Sequence, residues 1–293
     1  MQPIVSRVAW QALEAVNAVT YFSPECRDAY RDIGLRGFWM GYFAGRAAPM
    51  GAVSPGVVEA AFYNFHPDMV RHSIPDAWTF SRPEPVIRAR AAAAAAAIGR
   101  MCPGADRVSA ELLPLLIEIV AEADGAGRPL FSANREVMTG GSVAGGLDAL
   151  WQAATTLREH RGDGHIAILT EAAIDGCEAH VLHAAIGRVP VVVLRDNRGW
   201  SEADWDAATQ RVQGRGWLDA SGQPTAAGHQ ERERIERRTD QLALQPYRRL
   251  GEEKVERVLR LAGGLARDII ASGEIPFPNP IGLPDHRETG TDT

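Results

Sequence analysis

Cysteine is scarce. Cys26, Cys102 and Cys177 are the only three in 293 residues, far apart and odd in number. They spell neither a disulfide framework nor a CxxC metal knuckle. They fit a reducing cytoplasm, where a free thiol behaves as a small hydrophobe. Long apolar runs are also lacking: the longest, near residues 89–98, is mostly alanine and too short to span a membrane. Met1-Gln2-Pro3-Ile4-Val5 carries no basic stretch ahead of an apolar run, so no secretory signal is expected. A basic excess is missing as well. The formal net charge is -6, whereas a nucleic-acid-binding domain is usually basic on at least one face. No phosphate loop, dinucleotide glycine fingerprint, nucleophile elbow or HExxH motif occurs, and neither a cofactor nor a bound metal is expected. The composition, 45% hydrophobic and 23% charged, is that of an ordinary globular protein, expected in the cytoplasm and away from membranes.

What is present is helical periodicity. Residues 8–19 carry apolar side chains at helical spacing, and Ser23-Pro24-Glu25 opens a second helix. Residues 35–48, with Phe38, Trp39, Met40, Tyr42 and Phe43, are apolar nearly all round and read as a buried helix. Ser54-Pro55 starts another. Residues 87–100 are rich in alanine, the best helix former, and 109–124 are amphipathic. Residues 128–147 hold Gly140-Gly141 and Gly145-Gly146 and read as a connection. Helix resumes over 148–159 and 166–186. A last helix covers about 252–271, and a proline-rich tail, expected to be mobile, follows from 276 to 293.

The most defined local pattern runs from Pro190 to Leu244. Ser201 caps a helix over 202–215 with Trp205, Ala208 and Val212 on one face. Residues 216–225 read as two short strands around a tight turn, and a long charged helix follows. Helix, small wing and long helix make a winged helix, and the run RGWLDASGQPTAAG resembles the wing of MarR-type regulators. The resemblance covers about 55 residues and speaks for fold more than function. The start of the would-be recognition helix carries Glu202, Asp204 and Asp206 where DNA readers meet phosphates and bases, and the wing tip has no Arg or Lys. DNA is therefore not expected as a partner.

The two halves resemble each other: Ala12-Leu13 with Ala149-Leu150, Gly45-Arg46 with Gly187-Arg188, and the Ser54 to Ala61 segment with Ser201 to Ala208. The expected fold is mainly α with a small β-wing, built as two winged-helix-like halves forming an intrachain pseudo-dimer. Residues 1–127 form a degenerate first half, 128–147 a connection, 148–275 a MarR-like second half, and 276–293 the tail. MarR-type proteins bind small aromatic ligands near their dimer interface, so the resemblance implies a cavity between the halves. Arg46, Trp39, Tyr42, Phe43, Phe62, Tyr63, His66 and His183 are its candidate ligand-binding residues. Core packing is the plainer role for each aromatic. Arg36 and Arg46 flank the aromatic helix, and a buried arginine needs an anionic partner, with Glu59, Asp32 and Asp76 at hand.

Arg158-Glu159-His160-Arg161-Gly162-Asp163-Gly164-His165 is the densest polar constellation. As a bent segment between two helices it offers His165, Asp163 and His160 for acid–base catalysis. The plainer alternative is an interhelical turn with Asp163 as N-cap. His180 and His183 share a helix face, a metal pair only if a third ligand approaches. The strings NAVTYFSPE, LRGFWMGYFAGRAAPMG, FYNFHP, RPLFSANR, LREHRGDGHIA and LHAAIGRVP together resemble an actinobacterial family of helix-turn-helix-like proteins of unknown function, over about residues 8–271. The resemblance implies a winged-helix fold and carries over no catalytic residue. His180 departs from that family's pattern, in which only the position of His183 is typically histidine. The function expected is a small-molecule-binding winged-helix protein that has lost DNA binding, an enzyme without cofactor or a carrier for a small aromatic or hydrophobic molecule, as monomer or homodimer. A MarR-like ligand-responsive regulator is the alternative.

Overall fold

Proline at the first turn, where its missing N–H costs nothing, sets the start of many helices. The computed structural model describes residues 1–187 and 189–284. Its helices are α1 (Ile4–Phe22), α2 (Pro24–Asp32), α3 (Gly37–Ala47), α4 (Pro55–Phe62), α5 (Pro67–Arg71), α6 (Ala77–Phe80), α7 (Pro83–Met101), α8 (Ala105–Glu122) and α9 (Pro129–Thr139). There follow α10 (Gly146–Glu171), α11 (Gly176–Ala185), α12 (Val191–Asp196), α13 (Glu202–Gly214), α14 (Ala226–Ala243), α15 (Gln245–Leu250) and α16 (Glu252–Ala271). The architecture is mainly α, as expected. The wing is a turn closed by a single antiparallel bridge, Leu218 with Pro224, in place of two strands. Asp219 holds it, its carboxylate accepting from the Ser221 and Gln223 amides.

Around α10 the main core assembles. This helix packs against α1, α7, α8, α9 and α14, while α1 packs on α16 and α8 on α16. Because neighbours surround it, α10 buries polar as well as apolar groups, among them Gln152, Thr155, Thr156, Glu159 and Asp163. Buried polar groups need partners, and the sequence provides them. Arg90, in the alanine-rich α7, donates to Gly45 O at 2.7 Å, Asn134 Oδ1 at 3.0 Å and Gln152 Oε1 at 2.9 Å. Thr155 Oγ1 donates to Asn17 Oδ1. Small residues permit close approach elsewhere: a Cβ at Gly41 would come within 2.9 Å of the Tyr30 ring and one at Gly45 within 2.2 Å of its hydroxyl, so α2 seats its tyrosine directly on the backbone of α3.

Three sequence expectations change. Residues 158–165 are no interhelical turn but the middle of α10. Two glycines cost a helix interior about 1 kcal/mol each, too little to break one packed on several faces. Gly164 has a further role, since the Arg128 guanidinium lies where its Cβ would be. Asp163 accordingly caps no helix that follows it; its Oδ2 accepts from Phe131 N at 2.9 Å, one of the free amides in the first turn of α9. Second, the expected connection contains α9, whose buried Leu130, Phe131, Asn134 and Val137 form a helical face that the neighbouring glycines obscure. Third, the chain after α16 does not leave the fold. Asn279, 1% exposed, and Leu283, 4% exposed, are buried and bond to each other in both directions. The remainder of the expected mobile tail, 285–293, lies outside the described residues, as does Arg188.

The segment from α11 to α13 has its own small core. Trp205, Ala208 and Val212 of α13 meet Cys177, Val181, Val189 and Leu194 from α11, α12 and their connection. Ser201 opens α13 through a capping box: its Oγ accepts from Asp204 N, and Asp204 Oδ2 accepts from Ser201 N.

Candidate functional site

Between α1, α10, α11, α12, α14, the end of α4 and the segment after α16 lies a cavity of about 1020 Å³. It is lined by both halves of the sequence. Tyr42, Phe62, Tyr63 and Phe65 come from the first; His165, His180, His183, Leu194 and Arg198 come from the second; Asn279 to Leu283 close one side. A second cavity of about 220 Å³ lies behind Tyr42 and Arg46, which line both, and reaches Tyr21, Tyr30, Arg90 and Trp151.

The aromatic wall grows out of α3 and α4. Phe43 and Phe62 stack with centroids 5.9 Å apart, and Tyr42 meets Phe65 at 5.4 Å. Tyr63, at the C-terminal cap of α4, donates from its hydroxyl to Ile174 O at 2.5 Å. Its own carbonyl sits where Gly176 would carry a Cβ, 2.2 Å away, so α4 rests on the turn into α11.

Arginine dominates the polar lining. Arg46 grips Glu159 with two of its three nitrogens, Nε at 2.8 Å and Nη2 at 2.9 Å, and lies 4.2 Å over the Phe62 ring. Its partner is therefore Glu159, not the Glu59, Asp32 or Asp76 suggested by sequence. Arg36, expected to be buried, is exposed and lies over Phe80. Arg158 bridges Glu14 and Glu159 at 2.9 and 3.1 Å. Burial works to raise the Glu159 carboxyl, but Arg46 and Arg158 hold it at about 2. Burial wins at Glu14, whose carboxyl lies above the ordinary range despite Arg158. On the other wall Arg161 joins Glu236 at 3.0 Å and Asp240 at 2.9 Å, Arg7 joins Asp240 at 2.6 Å, and Arg232 pairs with Glu236.

The three candidate catalytic residues divide between the sides of α10. His165 lines the cavity. Its Nδ1 is 3.0 Å from Thr239 Oγ1, whose own proton goes to Ile235 O. Nδ1 is thus the donor, leaving Nε2 as an acceptor. Burial, with Arg232 and Arg161 nearby, lowers this imidazole to about 4, so it is neutral at pH 7. His160 and Asp163 do not line the cavity; they face α9. The His160 ring packs edge-on against Phe131 at 4.9 Å, and burial lowers it to about 3. Asp163 is raised by burial, and then by Glu159, to about 7. The two anchor α9.

Of the candidate ligand-binding residues, Arg46, Tyr42, Phe62, Tyr63 and His183 meet in the cavity. Trp39 and Phe43 belong to the core behind it. His66 turns to the loop before α13: its Nδ1 accepts from Asp68 N, and its ring meets Trp200 at 5.1 Å. Sequence reasoning missed Arg198, Arg232 and the segment after α16; Arg198 and that segment lie outside the periodic helices, while Arg232 shares a face of α14 with Ile235 and Glu236. Among the described residues no group of three or more His, Cys, Asp or Glu side chains could hold a metal ion, and no helix is long and apolar enough to cross a membrane.

The outer face of α13 offers a different surface. Arg211 is taken by Asp175 and Glu178, and Arg215 by Glu178 and the Ala172 and Ala173 carbonyls. Glu202 and Asp206 stand exposed at its start. A model of the helix-turn-helix family matches residues 6–276. No curated protein and no solved structure matches the chain.

Proposed function

The chain belongs to the helix-turn-helix family, and from that premise we propose that it is a small-molecule-binding protein in which a MarR-like winged-helix scaffold has kept a ligand cavity and lost its DNA surface. The cavity of about 1020 Å³ carries the reading: ligand sites are concave, mostly apolar, and of about 300–1,000 Å³. Its aromatic wall suits a small aromatic or hydrophobic molecule.

The packing supports a pseudo-dimer. α1 packs on α16 as α10 packs on α8, and α1 also packs on α10 and α8 on α16, the set of contacts that an exchange of the two halves would preserve. The cavity would then lie between the halves, as in a dimeric ligand-binding regulator. Three buried, free cysteines fit a reducing compartment such as the cytoplasm.

Loss of DNA binding is supported by the charges of α13. A helix entering a groove needs free cations to neutralise phosphates. Arg211 and Arg215 are held internally, and Arg232, Arg234 and Arg237 are ion-paired along α14. A carrier or sensor is favoured over an enzyme, because His165 is the only one of the three candidate catalytic groups that meets the cavity. The alternative, a ligand-responsive DNA-binding regulator, draws on the intact core and cap of the helix-turn-helix unit.

The test is to fill the cavity. Ala179, on its lining, is replaced by Trp, and a neutral aromatic probe such as phenylbutanol is titrated against tryptophan fluorescence. Wild-type protein is expected to bind and Ala179→Trp to lose binding with its fold intact by circular dichroism. Equal binding by both, or none by the wild type, would overturn the reading.

A further inference from the structure

We propose that the cavity accepts a carboxylate, with Arg198 as its ion-pair partner and His180 Nε2 as a second polar contact. The inference rests on the ligand-cavity reading and adds the ligand's charge.

Six arginines line the cavity: Arg7, Arg46, Arg158, Arg161, Arg198 and Arg232. Five of them hold carboxylates, sharing Glu14, Glu159, Glu236 and Asp240. Among the described residues Arg198 has none. It is 8% exposed, donates to Asn197 O at 3.0 Å and Pro280 O at 2.6 Å, and lies 4.7 Å from the Phe65 ring centre. A guanidinium has five N–H donors and keeps its charge at any physiological pH. Backbone carbonyls satisfy some donors and neutralise nothing. Burying such a charge unpaired is costly, and a bound anion removes that cost.

His180 supplies the second, independent observation. It is 7% exposed and lines the same cavity, and its Nε2 is a buried nitrogen with no hydrogen-bond partner. Burial and the neighbouring Arg198 keep the ring neutral. A neutral imidazole nitrogen beside a lone guanidinium matches a carboxylate whose body carries a hydroxyl, since a hydroxyl bonds with either tautomer. Phe62, Phe65 and Leu194 give the same space an apolar wall for that body.

The experiment compares phenylbutyrate with phenylbutanol, which share an apolar body and differ in charge, against the full chain by calorimetry. Wild-type protein is expected to bind the carboxylate about tenfold or more tightly than the alcohol, a charge-assisted contact being the difference. Arg198→Gln is expected to abolish that preference, read as the ratio of the two affinities in the same variant. Arg198→Lys is expected to keep part of it, and serves if the glutamine variant does not fold. Equal wild-type affinities for both probes would overturn the charge inference and leave the cavity reading standing. Binding of neither would remove the cavity reading itself. A full carboxylate preference in Arg198→Gln or a complete loss in a folded Arg198→Lys would overturn the assignment to this side chain.

Discussion

The arginines of α13 and those of the cavity are held in different ways. Arg211 and Arg215 are 47% and 30% exposed and reach in from the edge of the molecule to Glu178, itself 3% exposed. Arg46 and Arg158 are 11% and 16% exposed and are locked to Glu159, itself 1% exposed. At the edge, water takes over when a partner is lost. In the cavity wall nothing does, so each charge is fixed by another, and Arg198, which has no such partner, stands out. On the proposed reading, α13 arginines tied to Glu178 and a cavity arginine without a carboxylate suit an anion inside better than a polyanion outside.

The sharpest break of that contrast is Arg46→Ala. It leaves Glu159 buried with Arg158 as its remaining cation, and removing one partner of a buried pair costs about 3–5 kcal/mol. The midpoint of urea unfolding should drop accordingly. A loss below about 1 kcal/mol would mean that this pair behaves like a surface one. Glu178→Gln is the matching change at the edge. Arg211 and Arg215 then turn to solvent, and the expected loss is about 1 kcal/mol, measured the same way.

Acid separates the regions next. His160 and His165 titrate in the fold at about 3 and 4, below the unfolded value near 6.5, and His180 is also lowered. The unfolded chain therefore binds more protons between about pH 6.5 and 4. Stability from these groups is full above pH 6.5 and is lost as pH falls toward the folded values. Asp163, raised to about 7, works the other way, losing stability as pH rises from about 4 to 7. Glu14 and Asp148 are raised by burial as well and side with Asp163, so the readout is the difference between proteins: His165→Asn should lose less stability than wild-type protein as pH drops from about 6.5 to about 4.5. An equal loss in both would contradict the assignment to His165.

The smallest effect on the fold is expected from Glu202→Lys with Asp206→Lys. Both sites are exposed, and melting should be little changed. Affinity for duplex DNA at low salt should rise about tenfold or more as repulsion becomes attraction. An unchanged affinity would mean that these acids are not what keeps DNA away.

The sequence made the helical architecture legible where local signals were strong. Ser23-Pro24, Ser201 with Asp204, and the whole of α16 follow from caps and periodicity. It was misleading where burial overrode local chemistry. Gly162 and Gly164 read as a bend, yet sit inside α10 because neighbouring helices hold it on several sides. His160, Asp163 and His165 read as one constellation, but helical rotation sends the first two toward α9 and the third to the cavity. Tyr42, Phe62 and Tyr63 were legible as an aromatic cluster. Arg198 and Pro280 were not, because their meeting depends on a loop and a terminal segment that no periodicity connects.

The central claim is best tested by equilibrium binding of the full chain to labelled genomic DNA fragments, its own upstream region included, at about 50 mM and 200 mM salt, where phosphate neutralisation must show as strong salt dependence. No binding at the lower salt is the expected result. Sequence-selective binding that falls steeply between the two would contradict the account and make the cavity an effector site of a regulator.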